Sequence, residues 1–256
     1  MAWTKVECDR RGIALLTIDN PAKLNTLNTA VLTDLITAVG QLGRDPALRA
    51  VVLRGAGERA FVGGADINEM AGLEPRSARV FISLVHQGCS ALRRLPVPVI
   101  ARIRGYAFGA GVELAAACDM RIASADAEFG MPEVRLGVPS VVEAALLPQL
   151  IGWGRTRQLL LTGDRIDAAT ALSWGLVENV VPADRLDAAV AQLVEAILAC
   201  GPRAVRLQKA LIADWEQLPL GQAIQRGIDR FAEAWETDEP RRLMQAFVQR
   251  RRDRAG

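Results

Sequence analysis

The sequence predicts an α/β fold whose C-terminal part is built from helices alone. Short β-rich runs alternate with helical segments through the first half of the chain, which is typical of an α/β protein rather than a β-sandwich. From about Leu146 onward helical patterns dominate. The chain has 256 residues, enough for one large domain with a smaller appendage. We expect a mixed core over residues 1–190 and a helical C-terminal region over residues 191–256.

The first predicted elements are a hairpin and a capped helix. Residues 3–8 and 13–18 are β-rich and flank a polar turn that ends in Gly12. Asn28 is a predicted N-cap for a helix that runs to residue 41, with apolar residues on one face, and Gly43 stops it. Together these features predict an antiparallel strand pair followed by an amphipathic helix.

The following elements alternate between apolar β-rich runs and helical patterns, with glycine or proline between them. The predicted strands are residues 50–53, 97–103 and 120–123. The predicted helices are residues 67–70, 76–92, 111–117, 155–161, 168–174, 185–198, 202–215, 221–235 and 239–251. The helix at 185–198 has the clearest amphipathic pattern.

Composition and charge exclude several classes of function. The net charge is +2, without the excess of lysine and arginine that a nucleic-acid-binding protein needs. The basic run near the C-terminus is typical of a solvated tail and consists of Arg250, Arg251, Arg252 and Arg254. No apolar run reaches membrane-spanning length, and the first residues contain no secretory signal, so we expect a cytoplasmic protein that does not bind membranes. The cysteines are scattered without a CxxC pair, which predicts neither a disulfide framework nor a zinc site; they are Cys8, Cys89, Cys118 and Cys200.

Residues 104–133 contain the best candidate for a reaction centre. A glycine-rich turn around Gly109 and Gly111 leads into an apolar helical segment with one carboxylate, Glu113. Such a turn presents free backbone N–H groups, which suit a developing negative charge. A second carboxylate, Glu133, lies on a separate segment. Two acids placed in this way are able to hold one water between them for acid–base chemistry.

The surroundings of the acidic residues predict different degrees of burial. The residues flanking Glu113 are apolar, which predicts a buried carboxylate with a raised pKa rather than a surface glutamate. Glu133 follows Pro132 in a predicted loop, where an isolated acid is usually solvated. His86, the only histidine, lies in a helical stretch without a cysteine or serine partner, and we assign it no catalytic role.

Four segments, taken in order, resemble motifs of the crotonase superfamily, the enoyl-CoA hydratase and isomerase enzymes. Residues 20–25, NPAKLN, resemble its early CoA-contact loop, and residues 60–70, AFVGGADINEM, its first oxyanion-hole motif. Residues 105–115, GYAFGAGVELA, resemble the second oxyanion-hole motif, and residues 129–133, FGMPE, the second-glutamate motif. Residues 246–248 with the basic run resemble the closing helix. The order and spacing agree along nearly the whole chain.

The resemblance implies a fold, a substrate and an assembly. The fold is a crotonase-like spiral of β–β–α turns with a helical C-terminal trimerisation region. The assembly is a homotrimer or a dimer of trimers. The substrate is an acyl-CoA thioester. Coenzyme A enters as part of that substrate, and no metal or redox cofactor is expected.

The resemblance also implies roles for individual residues. The backbone N–H groups of Ala65 and Ala110 form the oxyanion hole, and Glu113 and Glu133 are catalytic. Many relatives have glycine at the position of Ala110, and we expect a helical or extended φ there with a free N–H, because positive φ costs alanine roughly 1–2 kcal/mol. Asp66 is a predicted N-cap for the helix that follows it. The implied substrate and CoA contacts, of which Lys23 and Arg250 meet phosphate, are Lys23, Leu24, Gly63, Asp66, Ile67, Phe247 and Arg250.

The presence of both glutamates favours hydration of an enoyl-CoA. Dienoyl isomerases of this fold carry an aspartate where this chain has Val141, and no aspartate is placed as the nucleophile of a dehalogenase. Two alternatives remain open. One is an isomerase or a C–C lyase or hydrolase acting on an unusual acyl-CoA, and the other is a non-catalytic CoA-binding subunit.

The segment after Glu133 departs from the small, glycine-rich stretch of many hydratases. The bulkier Val141 and Val142 are expected to reshape the acyl pocket. Glu143 is either a third acid near the site or one half of an ion pair with a residue such as Arg135 or Arg155. We favour the ion pair.

Overall fold

The computed structural model describes the backbone of residues 2–255 and the side chains as far as Asp253. The chain forms two compact units, one extending to Gln192 and the other beginning at Leu193. The first unit contains both β-sheets, and the second is helical. The predicted sequence of a mixed α/β part and a helical part is therefore present.

The first unit begins with the predicted hairpin and capped helix. Strands β1 (Thr4–Cys8) and β2 (Ile13–Ile18) pair antiparallel. Helix α1 (Thr29–Leu42) starts where the Asn28 side chain accepts a hydrogen bond from the Val31 N–H at 2.9 Å, which confirms the predicted cap. Its apolar face packs into the core of the unit.

Three consecutive strand pairs form a repeating unit, which we call a turn of the spiral. In each turn the first strand joins the larger sheet and the second strand joins the smaller sheet. The strand pairs are β3 (Ala50–Gly55) with β4 (Ala60–Val62), β5 (Val99–Ile103) with β6 (Tyr106–Phe108), and β7 (Met120–Ser124) with β8 (Glu128–Gly130). Helices α2 (Ile67–Met70) and α3 (Pro75–Arg93) follow β4, and α4 (Ala110–Ala117) follows β6. A 3₁₀ helix, Pro132–Leu136, follows β8. The sequence did not predict β4, β6 or β8, because three-residue strands are too short to show a periodic pattern.

Parallel pairing dominates both sheets. The larger sheet has the order β1-β2-β3-β5-β7-β10, where β10 is Asn179–Val181, and every pair except β1–β2 is parallel. The smaller sheet has the order β4-β6-β8-β9, where β9 is Arg165–Asp167 and runs antiparallel to β8. The carboxyl ends of β4, β6 and β8 therefore lie along the same edge of the smaller sheet.

The remaining elements are mainly helices. A 3₁₀ helix, Val142–Leu146, leads into α5 (Leu147–Thr162), which is kinked at Gly152, where φ is 77° and ψ is 158°. Helices α6 (Ala168–Trp174) and α7 (Leu186–Leu198) follow. The second unit contains the end of α7 and helices α8 (Pro202–Trp215), α9 (Leu220–Ala234) and α10 (Glu239–Ala255).

The helices differ in length and in apolar character. Within residues 2–255 no single helix is both long and apolar enough to span a membrane, although one bent pair of consecutive helices meets the same test on length and composition.

Asn25 fixes the loop between β2 and α1. Its buried side chain donates to the Ala56 and Ala60 carbonyls at 2.9 and 2.8 Å and accepts from the Asn20 N–H at 2.9 Å. Its φ is 55°, in the left-handed region that asparagine tolerates better than alanine.

The Asn25→Ala variant is expected to lose about 4 kcal/mol of unfolding free energy, because three backbone groups lose their partners and alanine is strained at positive φ. Urea denaturation followed by circular dichroism measures the loss. Asn28→Ala serves as the control and should lose only about 1 kcal/mol, since one helix cap is removed. Equal losses in the two variants would contradict this account of Asn25.

Candidate active site

One cavity in the first unit collects most of the predicted site residues. Its volume is about 590 Å³, and apolar side chains line much of it. The groups with possible chemical roles come from the segments that follow β4, β6 and β8 at the common edge of the smaller sheet. Those groups are Gly63, Ala65, Ile67, Ala110, Glu113 and Glu133.

The loop after β4 brings Ala65 to the wall of this cavity. Leu27 donates to the Gly64 carbonyl and accepts from the Asp66 N–H, both at 2.8 Å, so the residues on either side of Ala65 are bound to one neighbouring segment. In a parallel ladder the N–H of the residue between two such bonded residues, here Ala65, points away from the strand that carries Leu27. The Ala65 N–H makes no hydrogen bond within the described chain. Gly64 makes the turn possible, with φ at 111°.

Helix α4 presents the second free N–H. The positive φ, 51°, is at Gly109, and Ala110 begins the helix with an ordinary negative φ, as predicted. The Ala110 N–H has no acceptor in the described residues. A Cβ on Gly111 would lie 2.2 Å from the Val62 carbonyl oxygen, so only glycine allows the first turn of α4 to pack directly on β4. This contact sets the spacing between α4 and the loop that carries Ala65.

Glu113 is buried, as the sequence predicted. It is 4% exposed and accepts one hydrogen bond, from the Ala144 N–H to Oε1 at 3.3 Å. Burial raises the pKa of Glu113 to about 8, the negative charges of Glu133 and Glu143 add to the increase, and the Ala144 N–H opposes it. A carboxyl that keeps its proton near neutral pH is suited to general acid catalysis.

The raised pKa predicts that stability falls as pH rises. The folded state holds a proton on Glu113 that the unfolded chain releases near the ordinary value of 4.5, so unfolding free energy is lost between pH 4.5 and about 8. The slope from this group approaches about 1.4 kcal/mol per pH unit. Urea midpoints measured from pH 4 to 9 should show the decline in the native chain and a flatter profile in Glu113→Gln. Parallel profiles would contradict the assignment.

Glu133 lies on the 3₁₀ helix Pro132–Leu136, where it is half-buried rather than fully solvated. The Ser140 hydroxyl donates to its Oε2 at 2.8 Å. A Cβ on Gly109 would lie 2.2 Å from Oε1, so this carboxylate rests against the bare Cα of the turn before α4. Ser140 was not among the predicted residues, because an isolated loop serine carries no sequence signal for such a contact.

The loop at residues 20–25 lies against the loop after β4. Gly63 donates to the Leu24 carbonyl at 2.8 Å, and Lys23 Nζ lies 3.4 Å from Asp66 Oδ2. Asp66 accepts from the Asn68 N–H at 2.9 Å, which confirms the predicted cap of α2. Burial alone would raise the pKa of Asp66, but its hydrogen bonds with Asn68 and Lys23 lower it below the ordinary value. Lys23 remains 57% exposed and accessible to an anion.

The two predicted contacts near the C-terminus lie on α10 in the second unit. Phe247 is exposed, and Arg250 Nε donates to the Ala246 carbonyl of its own helix at 3.2 Å. Their role in CoA binding stays a prediction. Residues 2–255 also contain no group of three or more histidine, cysteine, aspartate or glutamate side chains arranged to hold a metal ion.

The expected partners of Glu143 were wrong. Arg135 pairs with Asp164, and Arg155 donates to the Trp174 carbonyl at 3.1 Å. Glu143 is buried and faces His86, whose Nδ1 lies 2.9 Å from Glu143 Oε1. The lone histidine therefore has a structural partner that its sequence context did not indicate.

Comparison with known proteins identifies the family. The sequence profile of the family described as Enoyl-CoA hydratase/isomerase matches residues 9–254. The chain belongs to the enoyl-CoA hydratase/isomerase family. This confirms the resemblance drawn from the motifs.

Individual relatives of the enoyl-CoA hydratase/isomerase family match over nearly their full length. A short-chain-enoyl-CoA hydratase of Clostridium acetobutylicum is 37% identical over 98% of this chain and 97% of its own. A crotonyl-CoA hydratase of Syntrophomonas wolfei is 37% identical over 98% of both chains. The crystal structure of an enoyl-CoA hydratase from Bacillus anthracis superimposes with a TM-score of 0.93 at 34% identity, over 97% of this chain and 96% of that one. The crotonase-like α/β fold is confirmed.

Proposed function

We propose that this chain is an enoyl-CoA hydratase, a hydro-lyase that adds water across the α,β double bond of an enoyl-CoA thioester. The observation that carries the proposal is that Glu113 and Glu133 line one cavity together with Ala65 and Ala110. Relatives named as hydratases at 37% identity support the same activity.

The two free backbone N–H groups are assigned to the thioester oxygen. Addition of water at the β carbon moves electron density onto that oxygen, forming an enolate. Within the described residues the N–H groups of Ala65 and Ala110 have no other acceptor, and both residues line the same cavity. Fixed donors of this kind stabilise charge that develops in the transition state, and one donor is typically worth about 10²–10³ in rate.

The two glutamates are assigned to proton transfer. One water is held between the two glutamates; Glu133 accepts a proton from it, and its oxygen bonds to the β carbon. Glu113, whose pKa of about 8 keeps it protonated near neutral pH, delivers a proton to the α carbon. The net change in the substrate is the addition of H and OH. Proton exchange with solvent then returns Glu113 and Glu133 to their starting protonation states.

The coenzyme A part is assigned to the two loops beside the cavity. Lys23 supplies an accessible cation for a phosphate. Further contacts are assigned to residues on or next to the same loops, namely Leu24, Gly63, Asp66 and Ile67. Phe247 and Arg250 on α10 are assigned further CoA contacts from the resemblance alone.

The assembly is proposed to be a homotrimer or a dimer of trimers formed by the helical unit. Helix α9 supports association because it leaves an apolar stripe uncovered at i, i+4, i+8 and i+11 spacing, formed by Leu220, Ile224, Ile228 and Phe231. Sedimentation equilibrium separates these assemblies from a monomer. We place the enzyme in the cytoplasm, since the cysteines of the described residues are reduced.

The activity is tested by the loss of enoyl-thioester absorbance when the purified chain is added to crotonyl-CoA. Product analysis over short, long and aromatic enoyl-CoAs should give 3-hydroxyacyl-CoA. A shifted double bond without uptake of water would instead identify an isomerase. CoA binding without turnover across the panel would identify a non-catalytic subunit.

A further inference from the structure

A second buried acid, Glu143, lies close to the active site without lining the cavity. Only 6% of Glu143 is exposed, and its Oε2 is buried without a hydrogen-bond partner in the described chain. Its Oε1 faces His86 Nδ1 at 2.9 Å. His86 lies on α3, and its side chain is 53% exposed, so the pair connects the buried turn to the surface of that helix. A carboxylate this deeply buried needs partners, and Glu143 has His86 together with a hydrogen bond from the weaker donor, the Cys89 thiol.

The turn that carries Glu143 also contacts the catalytic acid. Val142 has φ at 40°, a conformation that a β-branched residue rarely adopts. Two residues later, the Ala144 N–H is shared between two acceptors: it donates to the Val141 carbonyl within the turn at 2.9 Å and to Glu113 Oε1 at 3.3 Å. Backbone held in an unfavourable conformation requires surrounding contacts that fix it, and such strain is concentrated at functional sites. The Glu143–His86 contact lies between the strained residue and the N–H that reaches Glu113.

We propose that Glu143 and His86 form a positioning pair that holds the 141–144 turn in place, so that the Ala144 N–H stays bonded to Glu113 Oε1 and leaves Oε2 for the reacting water. The inference rests on the proposed role of Glu113. It assigns neither His86 nor Glu143 a direct contact with substrate.

The pair also affects the charge balance around Glu113. The titratable groups near Glu113 are Glu133, Glu143, Cys89 and Cys118, with His86 beyond Glu143, and the charged Arg79 lines the same cavity. Burial raises the pKa of the Cys89 thiol well above its usual range, and the charges of Glu143 and Glu113 raise it further, so the thiol stays neutral. The charge of Glu143 favours a protonated Glu113, whereas the Ala144 N–H favours the ionised form.

Substitutions at the two positions are therefore expected to have opposite effects on Glu113. His86→Ala removes the donor and loosens the turn, which should weaken the Ala144 bond and raise the pKa of Glu113. Glu143→Gln keeps an acceptor for His86 but removes a negative charge, which should lower that pKa. His86→Asn retains a short N–H donor and should behave like the native chain. Glu58→Gln, which removes the exposed partner of Arg104, is the matched control.

The experiment has one readout that depends on turnover and one that does not. The first is the pH dependence of kcat and KM for crotonyl-CoA hydration. We expect His86→Ala to lower kcat by about 10- to 100-fold with little change in KM, and His86→Asn to recover most of the loss. The second is the titration of the Glu113 carboxyl by ¹³C NMR, assigned with Glu113→Gln.

The two readouts separate the inference from the function on which it rests. If the native chain hydrates no enoyl-CoA, the proposed function fails, and the NMR titration still decides the positioning pair. An unchanged Glu113 titration in both His86→Ala and Glu143→Gln would overturn the inference. So would equal shifts in Glu58→Gln, because the effect would then not be specific to the pair.

Discussion

Replacing Glu113 or Glu133, the proposed acid and base, with glutamine is expected to lower kcat for crotonyl-CoA hydration by about 10²–10⁴-fold. Glutamine has nearly the shape of glutamate but neither accepts nor releases a proton at neutral pH. Glu133→Gln removes the base, and Glu113→Gln removes the acid that keeps its proton up to about pH 8. Because one water uses both groups, the double variant should be little worse than either single variant.

The control for these substitutions is Glu128→Gln, which changes a half-buried glutamate paired with Arg165 and should keep native activity. Stopped-flow absorbance at several pH values measures kcat. In the native chain we expect kcat to decline above about pH 8 as Glu113 loses its proton. A Glu133→Gln variant that still moves a double bond would point to one-acid isomerase chemistry and contradict the hydratase assignment.

Gly109→Ala is expected to lower kcat by at least about 10²-fold, because the new methyl group must displace Glu133. The added Cβ would lie 2.2 Å from Glu133 Oε1, closer than any real contact. The backbone adds a second penalty, since φ of 51° with ψ of −119° is accessible essentially only to glycine. The same turn leads into the Ala110 N–H, so the acid and the oxyanion donor should both be misplaced.

A glycine on α1 provides a matched control for this substitution. Gly40 is helical, and a Cβ there meets nothing within 4 Å. Gly40→Ala should keep native kcat and gain roughly 0.5–1 kcal/mol of stability from helix propensity. Thermal unfolding of both variants distinguishes local displacement from loss of fold. If folded Gly109→Ala retained native kcat, Glu133 would not act from its observed position.

The sequence predicted the longer elements because their signals are local. The Asn28 cap and the apolar face of α1 are contained in 15 residues, and the burial of Glu113 followed from its apolar neighbours. Strands β4, β6 and β8 had no such signal, since each is three residues long and is defined by pairing with distant chain. The motif resemblance, rather than any strand pattern, predicted that the residues following these strands belong to the site.

The pair formed by His86 and Glu143 could not be predicted from local sequence. The two residues are 57 positions apart, and each has an ordinary helical or turn context. A lone histidine and an acid give no indication of which partner they select, because the choice depends on how α3 packs beside the 3₁₀ helix Val142–Leu146. The arginines proposed from the sequence were chemically reasonable, but the fold gives them other partners.

The alternation of strands between the two sheets has an evolutionary consequence. Ala65, Ala110 and Glu133 each follow the second strand of a different turn, and none depends on the loop length of another turn. A change of loop length away from the contacts between these segments would therefore move one reacting group and leave the others at their places. A scaffold of this kind can acquire a new reaction stepwise, with thioester binding retained throughout.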